Sequence, residues 1–214
     1  MSRRLASTCI KLIFYLKYKN AVPRSNTKIE PKLLPGDLAI WLFIFMELLV
    51  FGIFFMVYAV MRIQNIEQFN YYQLTLNREL GAANTLLLIT SSYFIVKAVH
   101  AVKANNIKNC IYWLYAALAG GLGFLILKTW EYIDKFSAGI SLSTNTFYMF
   151  YLSLTIFHFM HVILGMLILF AIVIKAKGGA YSAENYIGVE TGASYWHMVD
   201  LVWIILFPLV YIMR

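Results

Sequence analysis

The chain contains 214 residues, of which 61% are hydrophobic and only 13% are charged. Soluble domains carry about a quarter charged residues, so this sequence has too few to cover a water-facing surface. The formal net charge of +8 would suggest nucleic acid as the partner of a soluble protein. Most of this excess, however, precedes the first long apolar run, and in a membrane protein such a cluster marks the cytoplasmic side and contacts anionic lipid. Nucleic acid is therefore not an expected partner.

Residues 1–34 form a basic segment that we predict to be a cytoplasmic N-terminal tail. The apolar stretch Ile10–Leu16 is too short for the core of a secretory signal and is interrupted by Lys11. Richness in Lys and Arg is also typical of a mitochondrial presequence, so the mitochondrial inner membrane is the alternative to a bacterial plasma membrane. Only Glu30 opposes the eight basic residues of the tail: Arg3, Arg4, Lys11, Lys17, Lys19, Arg24, Lys28 and Lys32.

Residues 35–214 contain five apolar runs, each long enough to cross the roughly 30 Å of hydrocarbon as a helix. Asp37, after Pro35 and Gly36, is the predicted N-cap of the first run. A polar loop follows this run, and the fourth run exceeds the bilayer thickness, so it should tilt or protrude. We therefore predict an all-α, polytopic membrane domain with five transmembrane helices at Asp37–Met61, Gly81–Val102, Asn109–Tyr132, Asn145–Lys175 and Ala193–Met213.

The distribution of basic residues predicts the orientation of the helices. If the N-terminus is cytoplasmic, the inner segments hold twelve basic residues, including Lys103, Lys108, Lys175 and Lys177. The outer segments then hold five: Arg62, Arg78, Lys128, Lys135 and Arg214. This positive-inside bias, with an odd number of crossings, predicts a periplasmic C-terminus.

Ionisable side chains inside the membrane are costly, and they mark structural or functional positions by default. Haem and copper sites need several histidines that converge, whereas this chain has four in total. The favoured interpretation is that these groups form hydrogen bonds between helices and fix their packing, with a proton-related role for Glu47 as the alternative. They are Glu47 in the first segment, Glu131 in the third, His158 and His161 in the fourth, and His197 and Asp200 in the fifth.

Residue counts from the inner face place Glu47 near the bilayer centre. His161, on the antiparallel fourth segment, lies at nearly the same depth, and His158 lies one turn further out. We therefore expect Glu47 to meet the histidine helix inside the bundle, with His161 as its partner.

Five short motifs resemble those of subunit III of the haem-copper respiratory oxidases, and they occur in the same order. Together they extend across residues 35–214. The motifs are Phe43–Glu47 followed by Phe51–Phe55, Asn84–Leu88 with Ser91 and Ser92, Trp130–Tyr132, Phe157–Val162 with Gly165, and Tyr195–Asp200 continuing through Trp203.

This resemblance implies an accessory subunit without an active site, haem or copper of its own. It implies that the chain packs against a catalytic subunit that carries haem and metal, contacts membrane lipid with a bound phospholipid, and supports assembly and proton uptake. Asn84 belongs to one of these motifs, so the resemblance implies that it is a further buried polar residue. The common family form has seven helices, and the resemblance leads us to expect that this chain lacks the first two and, with them, part of the lipid-holding cleft.

Two features favour the branch of five-helix members that accompany nitric oxide reductases. Residues 35–41 look most like those members, and Lys128 lies in a stretch where oxidase subunits tend to carry a neutral glutamine. Subunit III of a cytochrome c or quinol oxidase is the alternative. The rivals from other classes are a free-standing transporter, which would need broken helices or a polar cavity, and a di-haem cytochrome that uses His158 or His161 with His197.

Overall fold

The computed structural model describes residues 38–213, so the predicted tail, the Asp37 N-cap and Arg214 lie outside the described residues. Every regular element in the described range is helical. A further turn of π-helix, Pro208–Ile212, continues the last helix. The helices are α1 (Leu38–Gln64), α2 (Ile66–Gln73), α3 (Arg78–Lys103), α4 (Ile107–Ser137), α5 (Thr146–Lys177) and α6 (Ile187–Phe207).

Five of these helices, all except α2, are long and apolar enough to cross a membrane. This observation confirms the predicted all-α bundle of five transmembrane helices. The helix boundaries differ from the prediction by up to six residues. The segment predicted as a polar loop contains the short helix α2, and α6 begins at Ile187, six residues before Ala193. The first turn of α6 is helical because it packs on the bundle, with Val189 only 2% exposed.

Asparagine side chains begin three of the long helices. In each case the side-chain oxygen accepts a hydrogen bond from the backbone N–H three residues later, which satisfies one of the otherwise unpaired donors of the first turn. These pairs are Asn77 with Leu80, Asn106 with Asn109, and Asn145 with Tyr148.

The tightest helix pair is the hairpin of α3 and α4, where small residues let the backbones approach. The Ser91 hydroxyl donates to the Ala117 carbonyl at 2.9 Å, and a Cβ added at Gly120 would lie 3.0 Å from the Cβ of Ser91. Such close approach is how helices associate where lipid supplies no hydrophobic driving force. Helix α6 is the most enclosed of the five spanning helices, and α1 is the least enclosed.

The bundle has two ends. At one end, which we call the turn end, α3 passes into α4 through a turn in which Asn105 has φ 57°. Asn105 also accepts a hydrogen bond there from Ala183, in the segment between α5 and α6. At the opposite end, the α2 end, Thr75 contacts the Tyr148 hydroxyl of α5 at 2.7 Å. The C-terminal π-turn lies at the α2 end, where Gln73 donates to the Val210 carbonyl at 3.0 Å.

Candidate functional site

Two charged side chains, Lys128 and Glu131, are buried inside the bundle, one turn apart on α4. Lys128 Nζ donates to Glu131 Oε2 at 2.9 Å, and the two side chains are only 0% and 2% exposed. Removing such ions from water costs several kcal/mol each, and the cost is recovered only if the charges are paired and their remaining hydrogen bonds are made. The pair is therefore stable only as a unit.

Two tyrosines from other elements complete this pair. The hydroxyls of Tyr151 on α5 and Tyr211 on the π-turn each donate to Glu131 Oε1 at 2.8 Å. Lys128 in turn donates to the Tyr211 hydroxyl oxygen. Glu131 thus accepts three hydrogen bonds, and the network of Lys128, Glu131, Tyr151 and Tyr211, which we call the outer network, joins α4, α5 and the C-terminal turn.

Aromatic rings surround the Lys128 ammonium. Its Nζ lies 5.1–5.4 Å from the ring centroids of Tyr132, Tyr151, Trp203 and Tyr211. The faces of Tyr132, Tyr151 and Trp203 present the negative side of a ring quadrupole to the cation, whereas Tyr211 meets it with its hydroxyl. Cation–π contacts are worth about 2 kcal/mol or more when desolvated. The rings replace part of the hydration that the ammonium has lost.

The π-turn brings Tyr211 into this network. Proline at position 208 has no N–H to donate to the preceding turn, which favours a local change of helical repeat. The wider turn leaves carbonyls to satisfy, and Gln73 from α2 donates to one of them, that of Val210. Gln73 is itself only 2% exposed. Helix α2 therefore closes the bundle over the outer network.

The second polar contact joins α1 to α5. Glu47 Oε2 lies 3.0 Å from His161 Nε2, which confirms the predicted partner. The other ring nitrogen, Nδ1, lies 2.8 Å from the Phe157 carbonyl, which can only accept, so Nδ1 carries a hydrogen. The 3.0 Å contact between Nε2 and Oε2 is then a hydrogen bond with one hydrogen between the two atoms.

This contact lies at the base of an open groove between α1 and α5. The groove has a volume of about 420 Å³ and is lined almost entirely by apolar side chains. Glu47 remains 17% exposed and His161 9% exposed. The wall is formed by Phe43, Met160, Ile163, Leu164 and Leu167.

Three of the predicted polar positions do not form the expected bonds between helices. Asn84, His158 and Asp200 are buried, but their side-chain polar atoms lack a well-aligned hydrogen bond within the described part of the chain. His158 is packed by the rings of Phe51, Phe124 and Trp203 instead. It diverges from His161 because a three-residue step on a helix turns by about 300°, not by a full turn.

The last predicted histidine, His197 on α6, bonds to α3. Its Nδ1 lies 2.6 Å from the Ser92 hydroxyl. Nearer the turn end, Lys103 and Glu190 form a second ion pair between α3 and α6, with Nζ 2.6 Å from Oε1. These contacts border a groove of about 220 Å³ on the surface of the two helices.

Lys128, Tyr151 and Tyr211 were not predicted from the sequence as site residues. Lys128 was expected among the charges of the outer loops, and the structure corrects this, because the side chain is fully buried. The available signal was the spacing of Lys128 and Glu131, which places opposite charges three residues apart on one face of an apolar helix. No comparable signal links Tyr211 to them, since that contact spans 83 residues.

The described residues contain no group of three or more histidine, cysteine, aspartate or glutamate side chains placed to hold a metal ion. The intramembrane histidines lie in separate environments: His161 beside Glu47, His197 beside Ser92, and His158 among aromatic rings. The arrangement can therefore hold helices together and share protons locally, but it does not offer a converging ligand set.

Comparison with known proteins relates this geometry to one family. The sequence model of cytochrome c oxidase subunit III matches residues 32–214. Cytochrome c oxidase subunit 3 of Thermostichus vulcanus is 33% identical over 177 residues, which cover 82% of this chain and 86% of that protein. The subunit 3 of Spodoptera frugiperda is 34% identical over 148 residues, which cover 69% of this chain and 94% of that protein.

The coverage varies among relatives. Cytochrome c oxidase subunit 3 of Paracentrotus lividus is 36% identical over 129 residues, which cover 60% of this chain but only 48% of that protein. The chain therefore spans most of the length of some relatives and about half the length of others.

Proposed function

The chain belongs to the cytochrome c oxidase subunit III family, and from this premise we propose that it is a non-catalytic accessory subunit of a haem-copper respiratory complex. The observation that carries the proposal is that Glu47 and Glu131, inside the bundle, are each bonded to a side chain of a neighbouring helix. Glu47 is bonded to His161, and Glu131 to Lys128 and Tyr151. Groups engaged in this way support packing, which is what an assembly and stability role requires.

Copurification tests this proposal. The tagged full chain, extracted from its native membrane in mild detergent, should bring down a larger subunit with the absorption spectrum of haem. Deletion of the chain should lower the yield or the turnover of that complex. Recovery of the chain alone, with an unchanged complex in the deletion strain, would contradict the proposal.

We also propose that this chain carries no haem or copper of its own, and that these groups belong to the catalytic partner. The separate environments of the three intramembrane histidines support this, because a copper site needs converging imidazoles. When purified from a strain that lacks the catalytic subunit, the chain should be colourless and metal-free. Stoichiometric haem or copper in that preparation would overturn the proposal and would favour the di-haem cytochrome.

Phospholipid is the proposed ligand of the groove beside Glu47. The groove is open to the bilayer and its wall is apolar, so it suits acyl chains rather than a polar substrate. A transporter is less well supported, because the long helices within residues 38–213 are continuous at mid-membrane, and the regular α-helix gives way there only to the π-turn that begins at Pro208.

The catalytic partner is proposed to reduce either nitric oxide or oxygen. The nitric-oxide-reductase branch is favoured by residues 35–41 and by Lys128, whose buried charge requires the ion pair with Glu131. The relatives described above are cytochrome c oxidase subunits, so an oxygen-reducing partner is the alternative. Nitric oxide and oxygen consumption by the copurified complex would distinguish the two.

A multi-pass protein of a bacterial plasma membrane, with the turn end cytoplasmic, is the proposed location. Lys103 and Lys108 flank the turn between α3 and α4, and Lys175 and Lys177 end α5 at the same side. Basic residues favour the cytoplasmic side of short loops. The mitochondrial inner membrane is the alternative.

A further inference from the structure

The outer network lies at the inner end of a series of aromatic rings that are readily oxidised. Among aromatic side chains, tyrosine and tryptophan lose an electron far more easily than phenylalanine does. The ring centroids of Trp203 and Tyr211 are 6.5 Å apart, and those of Tyr211 and Tyr151 are 6.1 Å apart. Tyr148, on α5, follows at 6.4 Å from Tyr151. Aromatic pairs in contact have centroids about 4.5–7 Å apart, so each ring touches the next.

The series continues through α2 to the outside of the bundle. The Tyr72 ring centroid lies 5.4 Å from that of Tyr148 and 5.2 Å from that of Tyr71. Tyr71 is 68% exposed, whereas Tyr148 is buried. Because electron transfer slows exponentially with distance, steps between touching rings are fast, and an electron from the bundle interior has a path to the surface. We call this series the aromatic relay: Tyr71, Tyr72, Tyr148, Tyr151, Tyr211 and Trp203.

The two inner tyrosines of the relay also have an acceptor for the phenolic proton. A tyrosine that loses an electron becomes a strong acid, so its oxidation in a buried place needs a hydrogen-bonded base. The hydroxyls of Tyr151 and Tyr211 each donate to Glu131 Oε1 at 2.8 Å. This distance lies within the roughly 2.6–3.2 Å over which a positioned base takes a proton. An ionised carboxylate has only acceptor sites, so Glu131 has room for that proton.

Tyr58 shows that burial alone does not supply these features. Its side chain is fully buried, as that of Tyr211 is, but its hydroxyl has no hydrogen-bond partner among residues 38–213. Its ring packs against Phe69 and Phe150, which are difficult to oxidise. Tyr58 therefore lacks both a proton acceptor and contacts that would carry an electron, and it is a control within the same bundle.

The surroundings of Lys128 accommodate the charge that oxidation creates. Loss of one electron leaves the outer network with a net positive charge, because Glu131 becomes neutral when it takes the phenolic proton. The Lys128 ammonium then depends on its aromatic neighbours, and its Nζ lies 5.3 Å from the Tyr132 ring centroid and 5.4 Å from that of Trp203. Ring faces stabilise a desolvated cation, so the ammonium keeps part of its stabilisation after the carboxylate is neutralised.

We propose that the aromatic relay is a redox-active site that passes one electron from the outer network to a radical oxidant beside Tyr71. In this step the O–H bond of Tyr151 or Tyr211 breaks and its proton moves to Glu131 Oε1. The electron leaves through Tyr71 and reduces the oxidant, and the product inside the bundle is a neutral tyrosyl radical. The oxidant class is a lipid peroxyl radical, which gains the electron, takes a proton from water and becomes a hydroperoxide. This activity goes beyond the accessory role and does not depend on it.

Photo-oxidation of the purified full chain in detergent tests the proposal. Illumination of tris-bipyridine ruthenium(II) with persulfate generates a one-electron oxidant in the water phase. Electron paramagnetic resonance should then detect a long-lived tyrosyl radical, which ring-deuterated tyrosine assigns by narrowing the spectrum. Radicals on exposed tyrosines disappear quickly by pairing with one another, so the long-lived signal reports a shielded ring. A chain that forms no long-lived tyrosyl radical would overturn the proposal.

Conservative substitutions locate the radical and its path. Tyr151→Phe combined with Tyr211→Phe keeps both rings, removes both hydroxyls and should lower the long-lived signal at least fivefold. Tyr72→Phe leaves the outer network intact and should lower the signal at least threefold, because phenylalanine interrupts the relay. Tyr58→Phe is the matched control and should leave the signal unchanged. An unchanged signal in the double variant or in Tyr72→Phe would overturn the proposal, as would an equal loss in Tyr58→Phe.

Discussion

Substitution of the buried ion pair on α4 gives the most direct test of what holds the bundle together. The changes are Lys128→Met, Glu131→Gln and the combination of the two. Methionine keeps the length of the lysine stem without its charge, and glutamine keeps the shape and one acceptor oxygen of the carboxyl group. Each single variant leaves the other charge fully buried, because neither side chain is more than 2% exposed.

The magnitude follows from the contacts of each partner. Removing one member of a buried ion pair costs about 3–5 kcal/mol in free energy of unfolding. Lys128→Met should lower the free energy of unfolding by about 3 kcal/mol, because Glu131 keeps the hydroxyl donors of Tyr151 and Tyr211 at 2.8 Å. Glu131→Gln should cost at least as much, since the Lys128 charge then has only neutral neighbours: the amide oxygen, one hydroxyl and the aromatic faces.

The double variant should be more stable than the two single losses predict. It buries no net charge, and neutral replacements of a buried pair are often tolerated. We therefore expect a coupling free energy of about 2 kcal/mol or more between the two sites. The measurement is equilibrium unfolding of the purified chain in mixed micelles with rising SDS, followed by tryptophan fluorescence. Trp203 is a local reporter, since its ring lies 5.4 Å from Lys128 Nζ.

Lys135→Met is the matched control on the same helix. Lys135 donates only to the Thr75 carbonyl in an exposed position, so its loss should change stability by less than about 1 kcal/mol. A coupling free energy below about 0.5 kcal/mol between Lys128 and Glu131 would refute the reasoning, because it would make the two effects independent.

Three further predictions follow from the same bundle. Glu47→Gln should be mild, because an amide can still donate to the bonded imidazole, whereas Glu47→Ala should cost about 1–2 kcal/mol; turnover of the complex that falls equally in both variants, with assembly intact, would favour a proton-related role. Gly121→Ala should destabilise the chain by about 1–3 kcal/mol, since the added Cβ would lie 2.7 Å from the indole that packs there, while Gly52→Ala, with nothing within 4 Å, should not; equal midpoints of SDS unfolding would contradict this. A reporter active only in the periplasm should work when fused after Arg214 and fail at Lys28, and the reverse result would mean a miscounted crossing.

The sequence alone determined the spanning helices. A run of about twenty apolar residues has only one low-energy arrangement in hydrocarbon, which is a helix that satisfies its own backbone. The start of the fourth run at Asn145 was also predictable, because an asparagine side chain can pair with the third N–H of the helix. The same regular rise allowed Glu47 and His161 to be matched by depth.

Tertiary structure decided which polar groups became partners. Residue counting gives depth along a helix, but it leaves open the direction in which a side chain points once neighbouring helices have packed. His158 and His161 lie three residues apart on the same helix, yet one lies among aromatic rings and the other bonds to Glu47. Asn84 and Asp200 show the same limit, since both are buried as foreseen but the predicted hydrogen bonds between helices do not form.

The short helix α2 and the outer network were the features least predictable from the sequence. Residues 66–73 are polar on average, and α2 is stabilised by contacts such as buried Phe69 and the bond from Gln73 to the Val210 carbonyl. Tyr211 meets Lys128 because a π-turn ends the last helix and α4 presents a charge at that level. These contacts join residues 83 to 137 positions apart, so they depend on how whole helices pack, and local sequence encodes only the helices themselves.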